Sequence, residues 1–431
     1  MRTTVLVGAA ALGLAVGLPG AVRAATAPPQ AVPAYRGAEG AKKIEGKASS
    51  ADAPLVAAGA VYTDTVPQGE RYYRLSLDDR SSVYFSVVAL PVSGVKYDYG
   101  DGVEVEIMTS EGRRCPNQPS RAGFGPDSAP VTTVAVRRLE EDAECQAAGV
   151  YFAKVTRSVG KDSDLRALPV ELRLQREPGL ASGSAPTTAP SVWPSASPTL
   201  PGTEPVARTG GTGFNDARAL DSGVWRDDLR PGQTRFYRVP LDWGRQLGLS
   251  AELANASMTK SSGFAAGGLT VSVYTPFRAL MADKDISYDG KQAGVTLPKT
   301  APVAYENRFA DDAGARLARV AGWYYIAVTL AGKVGEFTED AVPVPLTLRM
   351  DVTGKPAKAP VYKESLTAAG FGVGEEDRAA ARQGLTAPEA TEAAGTRSVM
   401  RVVAGAGFAA GTVLLLVLGG WILLARRGRS V

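Results

Sequence analysis

One stretch of about twenty residues occurs twice in this chain and constrains its fold more than any other feature. The first copy runs from Gly59 to Asp78 (GAVYTDTVPQGERYYRLSLD) and the second from Gly223 to Asp242 (GVWRDDLRPGQTRFYRVPLD). They align without a gap at a constant shift of 164 residues. The positions identical in both copies include Gly59, Asp64, Pro67, Tyr73, Arg74, Leu77 and Asp78, matching Gly223, Asp228, Pro231, Tyr237, Arg238, Leu241 and Asp242. A duplication is the simplest origin, so we expect two copies of one domain.

Apolar and polar residues alternate in both copies, which predicts β-strands. In the first copy Tyr73, Leu75 and Leu77 fall on one face and Arg74 and Ser76 on the other, as in a half-buried strand. The same alternation recurs at 83–87, 103–107, 170–174, 237–241, 269–273 and 346–350. Because turns rather than helices separate these strands, we predict an all-β fold of two tandem β-sandwich, jelly-roll-like domains.

Composition shifts divide the chain into segments. Pro-, Gly-, Ser- and Thr-rich stretches predict extended or flexible connections. Trp193 stands alone in the central one, either exposed or docked on a neighbouring domain. The predicted segments are a signal peptide (1–24), a flexible leader (25–50), domain 1 (51–177), a linker (178–212), domain 2 (213–353), a stalk (354–400), a transmembrane helix (402–425) and a tail (426–431).

The two ends of the chain predict export and membrane attachment. The N-terminus has one early arginine, a short apolar run and a small residue at Ala24, as in a cleaved signal peptide. Residues 402–425 carry no charge, and about 36 Å of helix crosses a core of about 30 Å. Arg426, Arg427 and Arg429 follow, so the positive-inside rule places the tail in the cytoplasm and the bulk outside the cell membrane. Gly407 and Gly411 in this helix would allow dimerisation.

Charge and composition exclude several classes of function. Removing six arginines of the two targeting ends lowers the formal net charge from +4 to about −2, so we expect no nucleic-acid partner. The chain has no histidine, which excludes Ser-His-Asp catalysis and His-ligated zinc. No phosphate-binding glycine loop is present, and we predict no cofactor and no catalytic residue.

Two cysteines, Cys115 and Cys145, lie in the predicted exported part. An even count in an oxidising compartment favours a disulfide, and two free buried thiols are the alternative. The second copy has no cysteine, so this disulfide is expected in domain 1 only.

Acidic side chains suggest a weak candidate metal site and several capped turns. Asp98, Asp101 and Glu104 lie near two glycines, and oxygen ligands of this kind bind Ca²⁺, although a solvated turn explains them more simply. Glu104 and Glu106 are expected to face water. The recurring aspartates are expected to cap turns, and Arg74 and Arg238 to pair with them.

The order of these strands resembles the bacterial pre-peptidase C-terminal domain. The resemblance rests on the aromatic strands at 71–75 and 235–239 and on the Gly-x-Tyr strands at 149–151 and 322–324. It implies β-sandwich accessory domains that bind or target. The Asp-Leu-Asp-Leu strand usual in the family is replaced by Val103–Ile107, with glutamates.

These observations together predict a non-catalytic, membrane-anchored surface protein that binds a cell-envelope polymer or an envelope protein partner. An accessory subunit of a secretion or proteolysis complex is the alternative, and a carboxylate-based hydrolase is a minor one. We expect specificity in the parts that differ between the copies: the Cys115–Cys145 loop and the excursion at 276–321.

Overall fold

Each copy of the repeat folds into two stacked, mainly antiparallel sheets. A computed structural model describes residues 32–92, 94–116, 120–124, 129–139, 144–181, 188–190, 192–194, 202–339 and 342–427, with the side chains at 397–399, 401–410, 420 and 422–427 outside this set. The predicted signal peptide, residues 25–31 of the leader and residues 428–431 of the tail also lie outside the described residues.

Domain 1 buries the alternating apolar residues between its two sheets. One sheet has the strand order β1-β2-β9-β4-β7 and the other β3-β8-β5-β6. Side chains such as Tyr73, Leu75, Ile107 and Leu172 are fully buried between them. The strands are β1 (Lys42–Lys43), β2 (Val61–Val66), β3 (Gly69–Leu77), β4 (Ser81–Ala89), β5 (Gly102–Thr109), β6 (Ser120–Gly123), β7 (Val131–Arg137), β8 (Gly149–Ser158) and β9 (Leu168–Pro178).

Domain 2 repeats this order with one additional short strand, β11. Its strands are β10 (Val206–Ala207), β11 (Arg218–Ala219), β12 (Gly223–Leu229), β13 (Thr234–Leu241), β14 (Gln246–Leu253), β15 (Ala265–Tyr274), β16 (Leu280–Tyr288), β17 (Ala293–Leu297), β18 (Gly322–Leu330) and β19 (Val344–Thr353). The sheets are β10-β12-β19-β14-β17 and β11-β13-β18-β15-β16. The helices are α1 (Ala313–Leu317), α2 (Glu375–Gln383) and α3 (Ala387–Arg427), with 3-10 turns at Tyr305–Phe309 and Gly332–Glu336.

The four sheets confirm the prediction of a mainly β fold of sandwich type, and their topologies match between the two copies. Even isolated pairings recur: the bridge Lys47–Tyr72 has its counterpart in Gly211–Phe236, at the same shift of 164. The disulfide prediction is also confirmed, since Cys115 and Cys145 are bonded, with Cα atoms 5.7 Å apart.

One pairing inferred from the repeated stretch is wrong by one residue. The hydroxyl of Tyr73 donates to Asp64 at 2.7 Å, whereas that of Tyr237 donates to Asp227 at 2.6 Å. Asp227, not Asp228, is therefore the counterpart of Asp64. The aspartate and its tyrosine are nine residues apart in the first copy and ten in the second, and this extra residue restores the shift of 164 downstream.

This tyrosine–aspartate contact includes a third residue in both copies. The amides of Gly46 and Gly210 donate to the same carboxylate oxygens, at 2.7 and 2.8 Å. A Cβ atom at Gly46 would lie 2.6 Å from the Tyr73 ring, and one at Gly210 would lie 2.8 Å from the Tyr237 ring. Only glycine fits against the ring at these positions. The alternation of apolar and polar residues along the strands does not predict this requirement.

Recurring arginines do not pair with the recurring aspartates as predicted. Arg74 is exposed. Arg238 is buried, donates to the carbonyl of Leu385 at 3.1 Å and lies 4.0 Å from the ring centroid of Trp323. Asp78 caps its turn as expected, accepting from the amide of Ser81 at 2.7 Å.

Segments predicted as leader, linker and stalk pack against the domains. Lys42 and Lys43 pair with β2 in parallel. Trp193 packs against the core of domain 2, which is the docked alternative. In the predicted stalk, Phe371 is buried and Arg378 binds Asp242 at 2.6 Å. The stalk residues up to Glu389 therefore belong to the folded body, because they cover sheet faces.

The C-terminal helix α3 includes the predicted transmembrane segment. Counting only side chains that the structure describes, no helix of the chain is long and apolar enough to cross a membrane. The predicted span at 402–425 also includes side chains at 402–410, 420 and 422–425, which lie outside the described set, and Gly407 is one of these.

We predict that Gly210→Ala lowers the free energy of unfolding by about 1–3 kcal/mol, because its methyl group must displace the buried Tyr237 ring. Urea unfolding followed by tyrosine and tryptophan fluorescence measures this. Gly202→Ala is the control, since nothing lies within 4 Å of its added methyl group. Equal stability of the two variants would contradict the proposed contact.

Candidate functional site

The polar face of β9 lies at the junction between the two domains. Its side chains alternate with the core residues of the strand, and this pattern is typical of a face in water. Glu171, Gln175 and Glu177 are nevertheless only 1–2 % exposed. The neighbouring strand β4 is buried along its whole length. Domain 2 therefore covers this face of domain 1.

A tight turn of domain 2 enters this face. It joins β15 to β16, with the amide of Arg278 donating to the Thr275 carbonyl at 2.9 Å. The ring of Phe277 stacks on Tyr84 with centroids 4.1 Å apart. Arg278 has a left-handed backbone, with φ of 65°, which is uncommon outside glycine. The turn is held in this shape by contacts across the junction.

The first buried ion pair of the junction joins Glu171 to Arg278. Both side chains are at most 2 % exposed. Asn215 donates to Glu171 at 2.8 Å and accepts from Arg278 at 2.8 Å, and the amide of Ala38 adds a bond of 3.1 Å. A buried charge is costly unless paired and hydrogen-bonded, and here each partner meets the requirement of the other.

A second buried ion pair joins Glu177 to Arg308 at 2.8 Å. The hydroxyls of Tyr84 and Tyr362 donate to the same carboxylate, the latter at 3.0 Å. Burial by itself raises the pKa of Glu177, but Arg308 and the Tyr84 hydroxyl outweigh it and hold the pKa below its usual range. This carboxylate is therefore ionised in the folded protein near neutral pH.

Two apolar clusters surround these ion pairs. One includes Val88 of domain 1 with Phe214 and Phe236 of domain 2. The other joins Tyr84 and Phe277 to Phe371 of the predicted stalk. Burial of these rings contributes favourable hydrophobic free energy, which the pairing of buried charges does not provide. The two domains are therefore joined over a continuous, mixed surface.

Beside this junction lies an open cleft of about 340 Å³. It is bounded by a turn of domain 1 and by the outer face of the sheet that contains β13, β15 and β18. The described lining consists of Tyr99, Ala129, Pro130, Val131, Thr234, Ala266, Gly267, Thr270, Ser272, Tyr274, Leu280, Ala327, Thr329 and Ala331. None of these residues is charged.

The cleft combines hydroxyl groups with an exposed ring. Thr270, Ser272 and Thr329 point outward from their strands, and the hydroxyls of Thr234 and Thr329 are 2.9 Å apart. Tyr99 is 86 % exposed at the rim. Hydroxyls both donate and accept hydrogen bonds, and an exposed tyrosine has an apolar face and a polar tip. Such a lining suits a neutral, polar ligand.

The weak metal candidates are not gathered around one point. Asp101 accepts from the amide of Asp98 at 2.8 Å and from the Ser163 hydroxyl. It is buried, so it is not part of the solvated turn that was the alternative to a metal site. Glu104 lies on β5, half-buried. Among the residues that the structure describes, no three His, Cys, Asp or Glu side chains form a group suited to a metal ion.

The expectation that Glu106 faces water is wrong. It is 1 % exposed and forms ion pairs with Arg114 and with Lys154, the latter at 2.6 Å. Lys154 also binds Glu70 at 3.1 Å. Cross-strand cations on the outer face of the sheet cover this carboxylate, which strand periodicity does not reveal.

The sequence did not predict which residues form the junction, but it did single out the segment that carries three of them. Phe277, Arg278 and Arg308 all lie within the excursion at 276–321, which was singled out because the two copies differ there. The signal was the extra length of this segment. What it contacts was not readable from the sequence.

Comparisons with known proteins assign no family to this two-domain β protein. No family model matches the chain, and no curated protein matches it. The resemblance to pre-peptidase C-terminal domains therefore stays a prediction.

Several solved structures align weakly with the chain. The tandem CBM22 domain of Paenibacillus barcinonensis Xyn10C is 15% identical, with 69% of this chain and 93% of that one covered, at a TM-score of 0.18. Tandem CBM51 modules of a family 98 glycoside hydrolase from Streptococcus pneumoniae are 10% identical. The alignment covers 68% of this chain and 84% of that one, also at a TM-score of 0.18. Tripeptidyl peptidase 2 is 10% identical, at a TM-score of 0.21. The alignment covers 74% of this chain and 28% of the length of that peptidase. Scores this low carry no argument about fold or function.

We predict that Arg278→Met lowers the free energy of unfolding by about 3–5 kcal/mol, because it leaves Glu171 buried without its partner. Adding Glu171→Gln should recover much of this loss, which a double-mutant cycle in urea measures. Lys47→Met, in the exposed pair with Glu45, is the control and should change stability by less than about 1 kcal/mol. Strictly additive effects of the two junction variants would contradict a direct pair.

The lowered pKa of Glu177 predicts a pH dependence. Its stabilising contribution is present above the unfolded glutamate pKa of about 4.3 and is lost as pH falls through the lower folded value. The stability difference between the parent protein and Glu177→Gln should therefore be constant from pH 7 to about 5 and shrink below about 4.3. Urea unfolding across this range, with exposed Glu39→Gln as control, measures it. A difference as large at pH 3 as at pH 7 would contradict this assignment.

Proposed function

We propose that this protein is a non-catalytic binding protein of the cell envelope, and that the interdomain cleft takes a neutral, hydroxyl-rich polymer such as an envelope polysaccharide. The observation that carries the proposal is the uncharged, hydroxyl-lined cleft with the exposed ring of Tyr99 at its rim. Clefts at domain junctions with a few convergent polar groups are frequent ligand sites.

The chemistry of the lining supports this ligand class over a charged one. A phosphate or carboxylate would bury its charge against Thr, Ser and Ala side chains without a counter-charge, at a high desolvation cost. A sugar offers hydroxyls that both donate and accept, and apolar ring faces that pack on an aromatic side chain. The described lining also has no carboxylate, which supports a binding role over glycoside hydrolysis.

We further propose that α3 attaches the body to the cell membrane, with the tail in the cytoplasm. Val413–Leu418 are 58–71 % exposed and Trp421 is 75 % exposed, and a row of exposed apolar side chains marks an interaction surface. The arginines after residue 425 fit a cytoplasmic tail. Jelly-roll-like accessory domains of the pre-peptidase C-terminal type remain our proposal for the two sandwiches.

The same exposed row supports the alternative, in which α3 associates with other subunits of an envelope complex. The two roles differ in what is recovered from cells. Crosslinking with mass spectrometry in native membranes would yield a fixed set of protein neighbours along α3 for a complex subunit, and cell-wall polymer on the sandwich body for a polymer-binding protein.

We predict that Tyr99→Ala weakens binding of the full chain to purified neutral cell-wall polysaccharide by about tenfold, since loss of one stacked ring costs about 1–1.5 kcal/mol. Calorimetry or co-sedimentation in mild detergent measures the change. Phe264→Ala is the matched control, because Phe264 is 60 % exposed but does not line the cleft. Thermal unfolding of both variants should match the parent.

Two results would contradict this proposal. One is polysaccharide binding that Tyr99→Ala leaves unchanged, which would place the ligand elsewhere. The other is binding only to anionic wall polymers, with an affinity that falls steeply with salt concentration, since the uncharged cleft offers no basis for such a dependence.

A further inference from the structure

The exposed ring of Tyr99 belongs to a turn that buried groups hold from below. The turn comprises residues 98–101 and is closed by the amide of Asp101, which donates to the carbonyl of Asp98 at 2.9 Å. The Asp98 carboxylate accepts from the amide of Tyr99 at 2.7 Å. Tyr99 itself is 86 % exposed, whereas Asp101, two residues later, is fully buried. The turn therefore presents an open ring on a buried base.

The Asp101 carboxylate binds both this turn and a neighbouring loop. One of its oxygens accepts from the amide of Asp98 at 2.8 Å and from the hydroxyl of Ser163. Ser163 lies in the loop between β8 and β9. A further bond joins this loop to the chain before the turn, since the amide of Asp164 donates to the carbonyl of Lys96 at 2.9 Å. Two segments far apart in the sequence are thus fixed around one side chain.

Arg157 supplies the opposite charge for this buried carboxylate. It is 1 % exposed, and its guanidinium donates to the carbonyls of Val66 and Asp164, both at 3.3 Å, and to that of Arg166. Burial lowers the pKa of Arg157, and the nearby charge of Asp101 opposes that change. A buried carboxylate is tolerated where a cation and hydrogen bonds compensate its lost hydration. Asp101 has both kinds of compensation.

Two glycines let the turn and the loop approach more closely than larger residues would permit. A Cβ atom at Gly100 would lie 2.9 Å from Cα of Gly160, and one at Gly160 would lie 2.8 Å from Cβ of Asp98. Such distances are too short for a real Cβ atom. Backbone packed on backbone leaves the turn little freedom to move, so its surroundings fix the direction in which Tyr99 projects.

We propose that Asp101 is a positioning residue for the interdomain cleft and acts through Tyr99. By holding residues 98–101 against the loop at 160–164, it keeps the ring at the rim of the cleft before a ligand binds. An aromatic side chain that is already in place loses less conformational freedom on binding than one on a mobile loop. The consequence for affinity rests on the proposed function, whereas the fixed turn does not.

Amide hydrogen exchange tests the fixed turn without any ligand. In the full chain in mild detergent, the amides of Asp98 and Asp101 should exchange slowly, because each donates a hydrogen bond within the turn. Asp101→Ala removes the acceptor of the Asp98 amide and should raise exchange in residues 97–101 by about tenfold or more. Asp162→Ala, at an exposed aspartate of the neighbouring loop, is the matched control and should leave exchange unchanged. Protection that survives Asp101→Ala would overturn the proposal.

Binding of purified neutral cell-wall polysaccharide tests the consequence for the cleft. Asp101→Ala should weaken binding about threefold to fivefold, less than Tyr99→Ala does, because the ring is still present but must be ordered on binding. In the Tyr99→Ala background the same change should have no further effect. Equal losses in both backgrounds would overturn the proposal, because Asp101 would then support the domain rather than the ring.

Gly160→Ala provides a second route if Asp101→Ala does not fold. It retains Asp101 and Arg157 but sets a methyl group against Asp98, so it should raise exchange at 97–101 and weaken binding only where Tyr99 is present. Thermal unfolding of each variant separates a displaced turn from a lost domain. Unchanged exchange and binding in folded Gly160→Ala would also count against the proposal. A parent protein that binds no neutral polysaccharide would contradict the proposed function, and the exchange experiment would still decide whether Asp101 fixes the turn.

Discussion

The pairing of Glu171 with Arg278 on the outer face of β9 is the contact on which the arrangement of the molecule depends. β9 lies in the middle of its sheet, so one face of it completes the core of domain 1 while the other meets domain 2. A buried ion pair is poor as a source of stability, because desolvation offsets its attraction. Its value here is geometric: only one docking of the two domains brings both charges to their partners.

A fixed docking is what gives the cleft its shape. One wall comes from the turn that carries Tyr99 in domain 1, and the other from the outer sheet face of domain 2. Neither sandwich has the cleft alone. Domains joined by a flexible linker would present these walls at varying distances, as small inter-domain contacts usually allow. The ligand binding proposed for this cleft would therefore be linked to the ion pairs of β9, although β9 does not line the cleft.

Local sequence patterns predicted the strands well because each strand has a repeating period and an apolar face. They also predicted the duplication and the Cys115–Cys145 bond. They failed where the deciding contact is remote. Alternation at Glu171 and Arg173 shows that β9 has a polar face, but what covers that face is set by a turn about a hundred residues later. The Asp64–Asp228 equivalence failed for a related reason: one extra residue before Tyr237 shifts the register, and identity alone does not show where it lies.

The junction also shows how a duplicated domain becomes asymmetric. The face of β19 that corresponds to the polar face of β9 carries Thr347, Arg349 and Asp351, all half-buried rather than buried. Copy one is thus covered by copy two, but copy two is not covered in return, so the contact joins unlike surfaces. Such a contact needs change on only two surfaces: acids on β9 in one copy and arginines in the 276–321 excursion of the other. The polar face of β9 and the 276–321 excursion, which both differ between the copies, are then parts of a single interface, and docking explains their divergence before any ligand is considered.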